Sequence, residues 1–224
     1  MTKDELISEL EIRATFTVND CQTFYSAKIH NCCRGGGNFL SVLGGFSLLN
    51  LLSKVNSILN GAAMWSDDDR RQANIVKAGI ASEAKKYFRL PRVGDLKKNE
   101  DDCFVELFED TRLVIPWGFD DSHEAKSVWA SYRNKLAHVA SPASGAAALA
   151  PNDVAGLQFE ELVIAIKTSK YNIYDYHSAD SPDGKVISAE KLNESLHDIW
   201  ETVKDKINTC SDSKIISNIA AMVF

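Results

Sequence analysis

The chain lacks the signatures of most metal- and nucleotide-dependent chemistries. Its five cysteines form no C-x-x-C pair, and adjacent Cys32 and Cys33 do not have the spacing of a zinc knuckle. No G-x-x-x-x-G-K follows Gly35-Gly36-Gly37, so there is no P-loop. Those glycines read as a turn between helices, the alternative being a phosphate cradle of backbone N–H groups. His30, His123, His177 and His197 fall at no H-E-x-x-H spacing, and no G-x-S-x-G is present to support serine hydrolysis. Neither a metal nor a cofactor is therefore expected. The N-terminal residues have no apolar signal core. The longest apolar stretch, Phe39 to Leu52, is interrupted by Ser41, Gly44, Gly45, Ser47 and Asn50. It falls short of the ~20 apolar residues of a membrane helix and reads as a buried one. Basic charge is also scarce: 25 Lys and Arg stand against 31 Asp and Glu, a net charge of -6. That excludes a general nucleic-acid coat but leaves room for a small local basic site. An odd set of cysteines with no signal core reads as reduced thiols in the cytoplasm.

What is present reads as an all-α bundle. The 224 residues suffice for one domain over 1–224, with 159–224 as a C-terminal extension of it. Leu6, Ile7 and Leu10 open a helix that the β-branched run Ala14-Thr15-Phe16-Thr17-Val18 threatens to break. Phe39 to Leu59 keeps a helical rhythm and is apolar on most sides, as befits the centre of a bundle. Gly44-Gly45 within it allows close packing or a kink. Ser66 before Asp67-Asp68-Asp69 is a helix start, preferred over a metal site, and the helix is expected to run through Val76, Ile80, Ala84 and Tyr87 until Pro91 and Gly94 end it. A short helix carries Phe104, Leu107 and Phe108 on one face. After a Pro116-Trp117-Gly118 turn, another places Val128, Trp129, Tyr132 and Leu136 in an apolar stripe. Residues 141–151 read as a loop, and Phe159 to Ile166 as one more helix. Tyr171 to Tyr176 with Lys185 to Ile187 reads as a small β-hairpin. Ser188 caps a long helix with Leu192, Leu196, Ile199, Val203 and Ile207 inward, and 213–222 forms a tail helix.

The most informative stretch is Tyr132-Arg133-Asn134-Lys135-Leu136-Ala137-His138, late in a helix and just before a loop. Asn134 and His138 are four residues apart and share a helical face; Arg133, one position round, can reach the same point. Arg offers a permanently charged fork suited to phosphate, and His shuttles protons near neutral pH. The string resembles the R-x4-6-H motif of the HEPN superfamily, in its R-N-x-x-x-H form. The resemblance covers six residues, within a bundle that takes in about two thirds of the chain. It implies a helical bundle that pairs into a homodimer and brings two motif copies into one cleft. It further implies metal-independent endoribonuclease activity in a toxin–antitoxin or phage-defence setting, on an RNA substrate. Arg133, Asn134 and His138 would be the catalytic residues, with Tyr132 and Lys135 contacting substrate. The expected chemistry is attack by the RNA's own 2′-hydroxyl, giving a 2′,3′-cyclic phosphate. One toxin group of that superfamily has a Tyr two residues after the His, modified by its antitoxin; Ala140 stands here instead, so that regulation is not expected. Two alternatives stay open. The chain can be a HEPN-like binding module without catalysis, or the stretch can be a solvated helix end with Arg133 paired to Glu124 or Asp120.

Overall fold

The computed structural model describes residues 1–26, 36–80, 84, 90–111, 126, 129, 146–149 and 185–224. The described chain is mostly helical, with six named helices and one short pair of strands. Helix α1 spans Lys3–Ser26. Leu6, Leu10, Ala14 and Cys21 recur along one face and are all buried. The helix runs unbroken through Ala14–Val18, the stretch whose state the sequence left open. Each β-branched residue costs a helix only a few tenths of a kcal/mol, while Ala14 is buried and Val18 packs against the core. Tertiary packing decides.

Helix α2, Gly36–Leu59, is the central element and contacts α1 along with three helices introduced below. Val42, Phe46, Leu49, Leu52, Val55 and Ile58 are all buried. The segment Leu40–Leu59 is long and apolar enough to cross a membrane, and 61% of its apolar window is buried inside the bundle. The glycine pair serves close approach. A Cβ on Gly44 would sit 2.9 Å from Cys21 Sγ, and one on Gly45 would sit 3.0 Å from Leu192 Cδ2.

Helix α3, Asp67–Gly79, starts with a reciprocal capping box: Ser66 accepts from the Asp69 backbone, and Asp69 accepts from the Ser66 backbone. The three aspartates are thus a helix start. The helix is shorter than its pattern suggests. It ends at Gly79, with Ile80 already extended at φ -80°, ψ 143°. It buries no side chain, and Ile75 and Val76 are exposed, so no core contact holds the helix past a weak helix former. Ala84 is helical, and Tyr87 lies outside the described residues. A loop then returns alongside the start of α3. Trp65 N–H donates to Asp95 O, Gly94 N–H to Trp65 O, and Gly94 takes φ +90° to make that turn.

Helix α4, Glu100–Thr111, buries Cys103, Phe104 and Leu107 against α2. Helix α5, Ala189–Thr209, lays Leu192, Leu196, Ile199, Val203 and Ile207 into the core between α1 and α2. Helix α6, Ser213–Val223, is capped by Asp212 and buries Ile216 and Ile219. Each such burial stabilises the fold by about 1.5–3 kcal/mol. The C-terminal helices therefore belong to the same core as α1 and α2.

One reading needs correction. Part of the 141–151 loop is a strand, β1 (Ala146–Leu149), and β2 (Lys185–Ser188) pairs with it in parallel, Ala146 opposite Lys185. A parallel pair needs a long crossover, and it does not bear on the hairpin expected between 171–176 and 185–187. Residues 171–176, the other half of that hairpin, lie outside the described residues, as do the Pro116–Gly118 turn and the helix expected over 159–166.

Candidate functional site

Tyr132, Arg133, Asn134, Lys135 and His138 all lie outside the described residues. What is described is the ground just before them. Lys126 and Trp129 are both helical. Trp129 is 1% exposed. Its ring stacks on Phe104 at 4.7 Å and meets Phe46 at 5.8 Å, while Phe46 and Phe104 lie 6.1 Å apart. Three aromatic rings from three parts of the chain thus close one corner of the core. Aromatic pairs of this kind contribute about 0.5–1.5 kcal/mol beyond their burial.

Lys126 fixes the outer side of the same helical turn. Its ammonium donates to Asp102 and lies 3.9 Å from Asp101. The hydrogen bond from Lys126 holds the Asp102 carboxyl below its ordinary value, and Asp102 in turn raises the Lys126 ammonium. Lys126 is exposed and Asp102 half-exposed, so the pair orients more than it stabilises.

Beside this corner runs a polar seam between α2, α4 and α5 that sequence reading missed. Asn56, 1% exposed, donates to Asp110 at 2.8 Å and accepts from Lys206 at 2.8 Å. Asn60 also donates to Asp110, and Lys206 reaches Asp110 at 2.8 Å. Further along, buried Ser57 donates to Glu106, which Lys98 meets at 2.7 Å. Burial pushes the Asp110 and Glu106 carboxyls up. The donors outweigh it (Lys206, Asn56 and Asn60 for Asp110; Lys98, Ser57 and Asn60 for Glu106), and both end below their ordinary values. The available signal was the polar series Ser53, Asn56, Ser57 and Asn60 in an otherwise apolar helix.

The remaining candidates resolve as follows. Asp69 is held low by Lys97 and Ser66, as a cap with an ion pair 2.7 Å long. His197 is exposed on α5, at a concavity of about 240 Å³ shared with Thr15, Asn19 and Trp200. Cys21 and Cys103 are free, buried thiols pushed up by burial, and Cys210 is free and half-buried. Cys32, Cys33, His30, His123 and His177 lie outside the described residues. Among the described residues, no three His, Cys, Asp or Glu side chains gather at metal-binding distances. No family model, curated protein or solved structure matches this chain.

Proposed function

We propose that the chain is a metal-independent endoribonuclease of HEPN type, acting in the cytoplasm as a toxin or phage-defence effector. The observation that carries the proposal is the string Arg133-Asn134-Lys135-Leu136-Ala137-His138. The mostly helical bundle supports it, and so does the helical, core-packed Trp129 four residues before Arg133. In this reading His138 takes the proton of a ribose 2′-hydroxyl as its oxygen attacks the adjacent phosphorus. The bond to the 5′-oxygen breaks, and the partner subunit's His138 protonates the leaving oxygen. Arg133 stabilises the added charge on the phosphorus, and Asn134 orients His138 or a phosphate oxygen. Tyr132 and Lys135 contact the substrate. The products are a 2′,3′-cyclic phosphate and a 5′-hydroxyl, and DNA resists because it lacks the attacking group.

The test is decay of cellular RNA in EDTA with wild type, His138→Ala and Arg133→Ala. Loss of a proton-transfer group typically costs about 10²–10⁴-fold, so His138→Ala should leave RNA intact. Equal decay in all three samples, or a need for added metal, overturns the proposal. The net charge of -6 favours a second reading, a HEPN-like binding module without catalysis. Growth arrest on expression that disappears with His138→Ala decides for the enzyme; arrest that is indifferent to it decides for the module.

A further inference from the structure

The concavity beside His197 has a buried donor in its wall from which nothing accepts. Helix α1 supplies Ala14, Thr15, Val18 and Asn19 to that wall, and α5 supplies Leu196, His197 and Trp200. Ala14, Leu196 and Trp200 are buried and Val18 half-buried, so the inner wall is apolar. Thr15, Asn19 and His197 are exposed and form a polar rim. Trp200 is 3% exposed, and its indole N–H has neither solvent nor an acceptor. Three other buried side-chain atoms lack a partner among the described residues: Ser41 Oγ, Asn50 Oδ1 and Asn193 Oδ1. None of those residues lines the concavity. An Asn amide can flip and a Ser hydroxyl can rotate, but an indole N–H is a donor only, fixed by its ring. A buried donor left in this way calls for an explanation, and the adjoining space gives one.

We propose that the concavity binds a small uncharged molecule of the amide or lactam class. Its carbonyl accepts from Trp200 Nε1–H while its apolar body lies against Ala14, Val18 and Leu196, with Thr15 or Asn19 turning aside to admit it. The volume of about 240 Å³ lies below the ~300–1,000 Å³ of drug-sized pockets, which sets the size at a single ring with one substituent. The donor-only indole sets the need for an acceptor. Charge sets the rest. No Lys or Arg lines the space. Lys204, which lies 5.9 Å over the Trp200 ring, is held by Glu11 at 3.0 Å and Glu201 at 3.6 Å, so it is not left for a carboxylate. Because the N–H is already dry, the ligand gains the bond without displacing water from it. The proposal is independent of the ribonuclease reading.

The test is titration of the full chain with benzamide, followed through the proton–nitrogen signals of its four indoles. Trp200→Phe identifies the Trp200 signal by its loss. At the efficiency of ordinary small ligands, benzamide should bind with a dissociation constant on the order of 10 mM. The Trp200 indole proton should move downfield and saturate. At about five times that concentration the thermal midpoint should rise by roughly 2–4 °C, since only the folded chain binds. Trp200→Phe, read from the Thr15 and Val18 backbone amides, should bind about 2–10-fold more weakly, and benzoate should bind the wild type more weakly than benzamide does. Thr15→Phe fills the mouth from an exposed position and should abolish binding without loss of fold. Phe16→Ser, at an exposed residue outside the concavity, should bind normally. No saturable shift of the Trp200 proton, an upfield one, equal binding by Trp200→Phe, undiminished binding by Thr15→Phe, or tighter binding of benzoate each overturns the proposal.

Discussion

Replacing Trp129 with Ala tests the packing on which the candidate site stands. The ring is 1% exposed and contacts Phe104 at 4.7 Å and Phe46 at 5.8 Å. Truncating a buried Trp to Ala typically costs about 3–5 kcal/mol, transfer and cavity terms together. A domain of this size shifts by roughly 2–4 °C per kcal/mol, so the midpoint should fall by about 6–20 °C. Total stabilities lie near 5–15 kcal/mol, which makes the loss large without requiring complete unfolding. Trp129→Phe keeps an aromatic partner for both rings and should cost less, in the range of about 1–3 kcal/mol for a shape change. Urea denaturation followed by far-ultraviolet circular dichroism measures both. A loss below about 1 kcal/mol for Trp129→Ala, the level of a surface substitution, would refute the aromatic corner. Because the motif follows four residues later, ribonuclease activity of Trp129→Phe should survive at temperatures well below its midpoint.

Three further outcomes are expected. Gly44→Ala places a Cβ against Cys21 Sγ at 2.9 Å and should cost about 1–3 kcal/mol of overpacking; adding Cys21→Ala should recover part of the loss, and strictly additive losses by denaturant titration would count against the close approach. Ser66→Ala removes the cap of a helix that buries nothing, costing about 0.5–2 kcal/mol. Hydrogen exchange should accelerate at the first amides of α3 while the global midpoint barely moves, and a matching global loss would contradict the isolated character of that helix. Asp110 and Glu106 titrate below their ordinary values when folded. Their stabilisation is therefore complete above the unfolded values near 4 and is lost as pH falls through the lower, folded ones. Asp110→Asn should flatten the acid limb of a stability-versus-pH curve below about pH 4, and an unchanged limb would remove Asp110 from the account.

The elements legible in the sequence were those whose burial follows a helical period. The stripe Leu192, Leu196, Ile199, Val203, Ile207 and the run through Phe46 and Leu49 announce α5 and α2 directly. The cap at Ser66 was legible because its chemistry is local. Three features were not. The continuation of α1 past Val18 depends on what its buried face meets. The end of α3 depends on the absence of any such face. The β1–β2 pairing joins segments separated by residues 150–184, and no local pattern records a parallel crossover. At the candidate site, the sequence supplied the residues and their helical phase, and the fold supplied the Trp129 corner. The polar seam escaped notice because Asn56 and Asp110 belong to different helices, and only their packing makes them a pair.

The contacts between α1 and α5 carry a kinetic consequence. Lys3 donates to the carbonyls of Asn208 and Cys210, and Lys204 to Glu11, so the first helix is held by one that emerges almost 200 residues later. Some 150 residues separate the end of α2 from the end of α5. At ~5–20 residues per second of synthesis, that is roughly 8–30 s. Throughout that interval, an apolar helix able to pass for a membrane segment waits without the cover that α5 gives one of its faces. Nascent chains of this protein should accordingly be clients of chaperones that hold apolar surface, and synthesis arrested before α5 should yield aggregates rather than a stable N-terminal half.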